Sequence, residues 1–234
     1  MPSATSRPIV VFDLDGTLVD TAPDLVDTLN LILQREALPP LAYDEARMLI
    51  GGGVKPMLER ALAGQNRALP AAEIDALFAS FLDHYADHIA DRSRVFPGVE
   101  AALAHLAGNG CRLAVCTNKL EWLSLRLLDA LDLRKYFAAI CGQDTFGVKK
   151  PDPEVLRRTV AAAGGEIAHA VMVGDSETDI RLAQAARVPV IAVDFGYTET
   201  PVAAFAPDLV IGHYDQLSAA ISALLPAWQK TAGS

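Results

Sequence analysis

The stretch VFDLDGTLVDT, residues 11–21, places Asp13 and Asp15 directly after an apolar run and follows them with Gly16 and Thr17. The run before them is nearly continuous in apolar residues, which is typical of a strand buried on both faces of a parallel sheet. Carboxylates at the end of such a strand are costly to remove from water unless a positive charge meets them. The stretch therefore predicts a central strand that ends at a metal site.

From Gly98 onward, short β-branched runs alternate with helical patterns. This alternation predicts an α/β fold, a doubly wound parallel sheet with helices on both faces, to which the first strand also belongs. One predicted helix, EWLSLRLLDALDL, has Trp122, Leu125, Leu128 and Leu131 at helical spacing. The further strand candidates, in chain order, are CRLAVC, FAAICG, AVMVGD, PVIAVDF and DLVIG.

Residues 21–96 break this alternation, because every periodic stretch in them is helical and none reads as a strand. They predict an all-helical cap domain inserted after the first strand. The expected domains are an α/β core of residues 1–20 and 97–234 and a cap of residues 21–96.

Composition excludes several classes of protein. A chain of 234 residues with 51% hydrophobic residues is too apolar to be disordered, and its net charge of −9 argues against nucleic-acid and anionic-membrane partners. No window is apolar enough for a signal peptide or a membrane span. Cys111, Cys116 and Cys141 form no CxxC pair, which favours buried thiols in a reducing compartment. We therefore expect a cytoplasmic protein. Composition does not distinguish a monomer from a homodimer, and both stay open from the sequence.

Several predicted strands end in residues that suit phosphate chemistry. In a doubly wound sheet, ligand sites form outside the carboxyl ends of the strands. The candidates, in chain order, are Asp13 and Asp15, then Thr117 and Asn118, then Lys150 in a loop before a helix, then Asp175 and Asp179 after AVMVG. Their shared position predicts one site assembled from separate segments.

Each of these residue types suits one role in phosphoryl transfer. Asp13 is the candidate nucleophile, since a carboxylate can form an aspartyl-phosphate. Mg²⁺ is the expected cofactor, because two anions must meet and carboxylate oxygens suit a hard cation; Asp175 would bind it directly and Asp179 through water. Asp15 can protonate the leaving alkoxide and later activate water.

The remaining candidates would hold the phosphoryl group. Thr117 and Asn118 can bind its oxygens, and Lys150 can offset charge near Asp13. Gly16 permits a tight turn or a close approach of the backbone to the ligand. The predicted partner is therefore a small phosphomonoester.

At this point the chain resembles the haloacid dehalogenase superfamily of phosphohydrolases. The resemblance rests on residues 13–17, Thr117-Asn118, Lys150-Pro151 and residues 174–179, and it covers essentially the whole chain. It implies that Asp13 is nucleophile and metal ligand, and that Asp175 is a direct ligand. It also implies that Asp15 is the acid/base and gives its backbone carbonyl to magnesium. True dehalogenases of the superfamily lack this second aspartate, so phosphate chemistry is expected.

Substrate choice should lie in the cap, where LIGGGVKPMLERAL, residues 49–62, is the most unusual stretch. Gly51, Gly52 and Gly53 precede a helix and could present backbone N–H groups to an anion, with Lys55 in the first helical turn. A flexible turn with a solvated Lys55 explains the same residues equally well.

Three stretches resemble the bacterial phosphoglycolate phosphatases: FDLDGTLVDTAPDL, the glycine-rich turn with MLERAL, and DFGYT after the fifth strand. This resemblance implies hydrolysis of 2-phosphoglycolate to glycolate and phosphate. The substrate carboxylate would then bind at residues 51–53 and Lys55, with Arg47 as an alternative.

Other functions stay open from the sequence. The phosphate ester could be a sugar phosphate, a nucleotide, a muramic acid phosphate or pyrophosphate. A phosphosugar mutase is disfavoured because its relatives usually carry Val or Met at the position of Thr17. A phosphonoacetaldehyde hydrolase needs a Schiff-base lysine, for which Lys55 is the sole cap candidate. A non-enzymatic phospho-receiver module would lack the helical insertion.

One helix of the cap, AAEIDALFASFLDHYADHIADR, carries two further features. His84 and His88 have the spacing of a metal pair, but with no third ligand nearby we expect a solvated or half-buried pair. Its apolar positions should form the core of the cap or an interface, and they are Phe78, Phe81, Tyr85 and Ile89.

Overall fold

A six-stranded parallel sheet forms the centre of the molecule, as a computed structural model covering residues 7–225 describes it. Its strands are β1 (Ile9–Phe12), β4 (Arg112–Cys116), β5 (Ala139–Cys141), β6 (Ala170–Gly174), β7 (Val190–Val193) and β8 (Leu209–Ile211). Two short strands, β2 (Val19–Asp20) and β3 (Arg94–Val95), form a separate pair. The sheet order is β5-β4-β1-β6-β7-β8, and every pair in it is parallel. The predicted α/β fold is confirmed.

Strand β1 lies inside this sheet, as its apolar run predicts. Ile9 pairs with Arg112 of β4 on one side and with Ala170 of β6 on the other. All four residues of β1 are fully buried, and alternate residues enter different cores: Val10 and Phe12 one, Ile9 and Val11 the other. Because neither face of such a strand contacts solvent, polar residues are not favoured on either face and the sequence is continuously apolar.

The helices cover both faces of the sheet and form a separate group between β2 and β3. They are α1 (Ala22–Arg35), α2 (Tyr43–Arg47), α3 (Val54–Gly64), α4 (Ala71–Asp87), α5 (Val99–Gly108), α6 (Glu121–Ala130), α7 (Pro153–Ala162), α8 (Glu177–Ala186) and α9 (Leu217–Leu224). Residues of α5, α6 and α9 pack into one core, and residues of α7 and α8 into the other. None of the helices within residues 7–225 is long and apolar enough to cross a membrane.

Helix α6 forms where predicted, but its buried face differs from the predicted set. Leu123, Leu127 and Leu128 are buried, whereas Trp122 is 43% exposed. The helix has apolar residues on more than one side, so spacing alone did not identify the face that meets the sheet.

The predicted all-helical segment, residues 21–96, contains helices α1–α4 and one strand that the prediction missed. Arg94–Val95 forms β3 and pairs antiparallel with Val19–Asp20. The expectation of no strand in this segment is therefore wrong at its end. The predicted domain bounds, which stay a prediction, would place this strand pair at the junction of core and cap.

Asp24, in the first turn of α1, links the two stretches of chain that connect the sheet to the helical segment. Its buried carboxylate accepts hydrogen bonds from the backbone N of Arg92 at 2.9 Å and of Ser93 at 2.7 Å. The Ser93 hydroxyl donates to it at 2.6 Å. The chain entering the helical segment is thereby fastened to the chain leaving it.

Helix α4 buries its apolar stripe as expected: Phe81 and Tyr85 are buried, Phe78 is partly buried against the same core, and Ile89, in the turn just after the helix, is buried too. His84 is half-buried and His88 exposed, with their rings 4.3 Å apart. The thiols of Cys111, Cys116 and Cys141 are free and buried, and Cys111 and Cys116 enter opposite cores.

Candidate active site

Three carboxylates meet at the carboxyl edge of the sheet. Oxygens of Asp13, Asp175 and Asp179 all lie within 4.8 Å of one another, and all three residues are buried. Asp13 follows β1 and its backbone N donates to Val173 of β6 at 2.9 Å, which draws the two strand ends together. The sequence placed all three residues at this edge, and the structure brings them into one cluster.

Lys150 lies between two members of this acidic cluster. Its Nζ is 2.8 Å from Asp13 Oδ1 and 2.7 Å from Asp179 Oδ1, and its side chain is buried. The backbone N of Lys150 donates to Asn118 Oδ1 at 3.1 Å, so the loop after β4 positions the lysine. The Lys150-Pro151 peptide bond is cis.

Asp175 is held by two neutral donors, one for each carboxylate oxygen. Thr17 Oγ1 donates to Oδ1 at 2.9 Å, and the backbone N of Tyr197 donates to Oδ2 at 2.9 Å. Gly16 has a φ of +82°, and a Cβ there would overlap the Asp175 carboxylate. The glycine therefore lets the backbone approach an acidic side chain that any other residue would push away.

Asp179 lies in the first turn of α8, where it forms a capping box with Ser176. Its Oδ2 accepts from the Ser176 hydroxyl at 2.6 Å, and its Oδ1 contacts Lys150. Because one of its oxygens pairs with the cationic Lys150 and the other is used in the helix cap, Asp179 has less charge available for a bound cation than Asp175, whose donors are neutral.

The electrostatics of the cluster favour a cation. Burial, and next the charge of Asp179, raises the pKa of Asp13, while Lys150 acts in the opposite direction. Burial and then Asp179 also raise the pKa of Asp175. The cluster holds two more acidic groups than basic ones, a charge excess that is costly in a buried site. A hard divalent cation fits both this oxygen donor set and the excess charge.

Asp15 points away from the acidic cluster. Its carboxylate accepts from Thr21 Oγ1 at 2.7 Å and from Lys119 Nζ at 3.0 and 3.2 Å. The side chain is therefore not a metal ligand here, and of Asp15 only the backbone carbonyl predicted by resemblance is left for that role.

Lys119 is a site residue that the sequence reasoning missed. Besides Asp15, its Nζ donates to Tyr85 Oη of helix α4 at 2.9 Å. Burial opposes its charge, but Asp15 and Tyr85 more than offset this and raise the pKa of Lys119. The available signal was its position directly after Thr117-Asn118, at the end of a strand in the same sheet.

Thr117 and Asn118 occupy the loop after β4, both buried at the site. Thr117 Oγ1 accepts from the backbone N of Lys119 at 3.2 Å. Asn118 Nδ2 donates to the carbonyl of Gly51 at 3.3 Å and so connects the core to the helical segment.

A cavity opens between this edge of the sheet and the helical segment. Its lining residues are Asp13, Asp15, Leu25, Ile50, Gly51, Gly53, Val54, Met57, Phe78, Thr117, Asn118, Lys119, Leu120, Leu123 and Gln143. The glycine turn thus reaches the site through Gly51 and Gly53, whereas Gly52 lines a neighbouring groove.

The structure does not bring Lys55 to this cavity, contrary to its predicted role. Its Nζ forms an ion pair with Asp75 of helix α4, and the two side chains are 41% and 61% exposed. Val54 and Met57, on the other side of the same helical turn, face the cavity instead. Arg47 also points elsewhere, donating to the carbonyl of Gly196 at 3.1 Å and stacking on Tyr197.

Tyr197 connects the acidic cluster to the junction with the helical segment. While its backbone N holds Asp175, its hydroxyl donates to Asp20 Oδ1 of β2 at 2.6 Å. The same hydroxyl accepts from the backbone N of Ala22, the first residue of α1, at 3.0 Å.

Comparison with known proteins places this geometry in a family. The chain is 54% identical to a phosphoglycolate phosphatase of Mesorhizobium japonicum, over 91% of this chain and 94% of that protein. It is 47% identical to a phosphoglycolate phosphatase of Caulobacter vibrioides, over 92% of this chain and 91% of that protein.

A solved structure shows the same fold. The crystal structure of a predicted phosphoglycolate phosphatase from Haemophilus somnus superposes with a TM-score of 0.85 at 27% identity, covering 92% of this chain and 97% of that one. Residues 10–193 match the haloacid dehalogenase-like hydrolase family, and this range contains every strand-end residue of the site described above. The chain therefore belongs to the haloacid dehalogenase-like hydrolases.

Proposed function

We propose that the protein is a Mg²⁺-dependent phosphomonoesterase that hydrolyses 2-phosphoglycolate to glycolate and phosphate through an aspartyl-phosphate on Asp13. The observation that carries the proposal is the buried cluster of Asp13, Asp175 and Asp179 around Lys150, with Asp15 facing the opposite side. Its relatives named phosphoglycolate phosphatase support the choice of substrate.

Asp13, Asp175 and the backbone carbonyl of Asp15 would hold the cation, and Asp179 would support it from outside. When bound, Mg²⁺ offsets the negative charge that otherwise keeps a phosphate ester away from a carboxylate. Lys150, Thr117, Asn118 and the backbone beside Gly16 would bind the phosphoryl oxygens.

In the first half-reaction, an oxygen of Asp13 attacks phosphorus and the bond between phosphorus and the glycolate oxygen breaks. Asp15 gives a proton to that oxygen, so glycolate leaves as an alcohol. In the second, Asp15 takes a proton from a water molecule that attacks phosphorus, and the bond to Asp13 breaks. Phosphate leaves, with Asp13 restored as a carboxylate and Asp15 again protonated.

The proposal includes a cytoplasmic location, which three free buried cysteines support, and a monomer or homodimer as the active form. Neither affects the chemistry assigned to the site.

The test is Mg²⁺-dependent phosphate release from 2-phosphoglycolate beside sugar phosphates, nucleotides, pyrophosphate and phospholactate. We expect kcat/KM for 2-phosphoglycolate to exceed the others by at least about 100-fold, or roughly 3 kcal/mol of discrimination. A flat profile, or a different leading ester, would rule out 2-phosphoglycolate as the preferred substrate. Stoichiometric release, one phosphate per protein, would instead indicate a phospho-receiver.

A further inference from the structure

We propose that Lys119 binds the substrate carboxylate and restricts the enzyme to phosphate esters whose alcohol carries a negative charge one carbon from the ester oxygen. The inference rests on the proposed function and deepens it by naming the specificity residue and the substrate class. It moves the recognition of the carboxylate from the helical segment, where the sequence pointed, to the loop after β4.

Lys119 lines the cavity between the sheet and the helical segment. It is 6% exposed, and among the described residues lining this cavity it is the sole cationic side chain. The walls are mainly apolar, formed by Leu25, Ile50, Val54, Met57, Phe78, Leu120 and Leu123. A carboxylate that enters such a cavity loses its hydration, which is costly unless a paired charge replaces it.

The lysine is held in place before any ligand arrives. Asp15 and Tyr85 lie on two sides of its Nζ, within 3.0 Å and 2.9 Å. An ammonium group has three protons to donate. Tyr85 Oη accepts one, and the contacts at 3.0 and 3.2 Å to the two oxygens of Asp15 can share a second, which leaves a third for a ligand. Tyr85 is fully buried in α4, and its ring also lies 4.6 Å from Nζ. Little side-chain entropy is left to lose when an anion binds.

The position relative to Asp15 matches a short alcohol. Asp15 is the proposed donor to the ester oxygen, and Lys119 Nζ lies 3.0 Å from its carboxylate. In 2-phosphoglycolate a single methylene separates the ester oxygen from the carboxylate. A cation in contact with Asp15 is therefore within reach of that carboxylate, and a longer alcohol would carry its charge past it.

The other candidates for this role face elsewhere. Lys55 pairs with Asp75 at the surface, and Arg47 donates to Gly196, so neither lines the cavity. The carbonyl of Gly51 accepts a hydrogen bond from Asn118. The glycine turn therefore directs a carbonyl oxygen, not an N–H group, toward the loop after β4, and a carbonyl oxygen repels an anion.

The experiment compares 2-phosphoglycolate with its neutral isostere 2-phosphoglycolamide in the wild-type enzyme and in Lys119→Met. We expect the wild-type preference for the carboxylate, as a ratio of kcat/KM values, to fall roughly 10- to 150-fold in the variant, the loss of one charge-assisted hydrogen bond. The ratio is used because Lys119 also contacts Asp15, and any effect through Asp15 lowers both substrates alike. Lys119→Arg should keep most of the preference, and Lys55→Met, the matched exposed lysine, should leave it unchanged.

Equal losses on both substrates in Lys119→Met would overturn the assignment and make Lys119 a residue that only positions Asp15. A wild-type enzyme that hydrolyses both esters equally well would overturn it too, while leaving the phosphatase function intact. A wild-type enzyme that hydrolyses neither ester, but does hydrolyse another, would overturn the proposed function itself.

A second measurement needs no substitution and covers the case in which Lys119→Met does not fold. Glycolate should inhibit the wild-type enzyme at least about 10-fold more strongly than glycolamide, since the same charged contact is at stake. Equal inhibition constants would contradict a cation at the carboxylate position.

Discussion

Asp175 receives hydrogen bonds from two groups that carry no charge, the hydroxyl of Thr17 and the amide of Tyr197. Neutral donors orient a carboxylate without cancelling its charge, so the charge stays available to a cation. Asp13 differs, because Lys150 already contacts one of its oxygens. The two aspartates would therefore have different roles: Asp175 would mainly coordinate the metal, and Asp13 would attack phosphorus.

Replacing Thr17 with valine removes one orienting donor while keeping the shape of the side chain. We expect Thr17→Val to weaken the apparent Mg²⁺ affinity by about 10- to 100-fold, because outer contacts orient a metal ligand. The buried oxygen left without its donor should also cost about 1–3 kcal/mol of stability. Thr17→Ser retains the hydroxyl and is the control. A Mg²⁺ titration of phosphate release measures the effect, and equal affinity in Thr17→Val would remove Thr17 from metal binding.

We expect the charge of Asp13 to be required for activity but to be unfavourable to the metal-free fold. We expect Asp13→Asn to lower kcat by roughly 10⁴-fold or more, as loss of a nucleophile does. Without Mg²⁺, its melting temperature should equal or exceed that of the wild type, since one of several repelling buried carboxylates is gone. Phosphate release and thermal melts in EDTA test both parts. Turnover at the wild-type rate would exclude Asp13 as nucleophile.

At the scale of elements, helix α1 and the residues before β3 are joined through one side chain. Asp24 accepts from Arg92 N, Ser93 N and Ser93 Oγ, so the two connecting stretches of chain are linked by charged hydrogen bonds in a buried place. The short pair of β2 and β3 continues this link along the backbone. If the helical segment rotates relative to the sheet, both connecting stretches of chain must therefore move together.

This link should contribute measurably to stability. We expect Asp24→Asn to lower the free energy of unfolding by about 2–3 kcal/mol, because three donors lose a charged acceptor. Asp27→Asn, on the same helix, removes an exposed ion pair with Arg92 and should cost under about 1 kcal/mol. Urea unfolding of both variants gives the comparison. Equal losses would mean that Asp24 acts as an ordinary surface acid.

Which elements the sequence could predict depended on their length and burial. Strand β1 was identifiable because burial on both faces demands a continuous apolar run. Strand β3 was not, since two residues cannot show a period, and it exists only because β2 lies beside it. Lys119 was missed because its role depends on Tyr85 of helix α4, a contact that packing of the helical segment creates. The direction of the Lys55 side chain could not be predicted, because a helix start does not reveal which way its first turn faces.

For the molecule as a whole, the net charge of −9 does not show how the acidic side chains are divided between surface and interior. The acidic cluster is buried, so its charges lack the screening that solvent gives to surface acids. Raised pKa values at Asp13 and Asp175 mean that the metal-free folded protein binds protons more tightly than the unfolded chain. Their contribution to stability is thus greatest below the ordinary carboxyl pKa and declines as pH rises through the raised values.

Mg²⁺ should reverse this decline, because on the proposed function it would bind the same carboxylates once they are ionised. We expect the rise in melting temperature caused by saturating Mg²⁺ to be several degrees larger at pH 8 than at pH 5.5. Thermal melts with and without Mg²⁺ at each pH, with NaCl matching the ionic strength, measure the increment. Asp175→Asn should abolish most of it. An increment independent of pH would contradict a site built from these acids.

The two hydrogen-bonding ends of Tyr197 limit how this protein can be recombined with its relatives. The amide of Tyr197 donates to Asp175, and its hydroxyl bonds to Asp20 and Ala22. A foreign helical insertion joined at this junction would therefore change the contacts of the hydroxyl and, through the same residue, the position of the Asp175 carboxylate. A chimaera that exchanges the insertion to obtain a new substrate should therefore retain the native residues at positions 20, 22 and 197, so that Asp175 keeps its hydrogen bond.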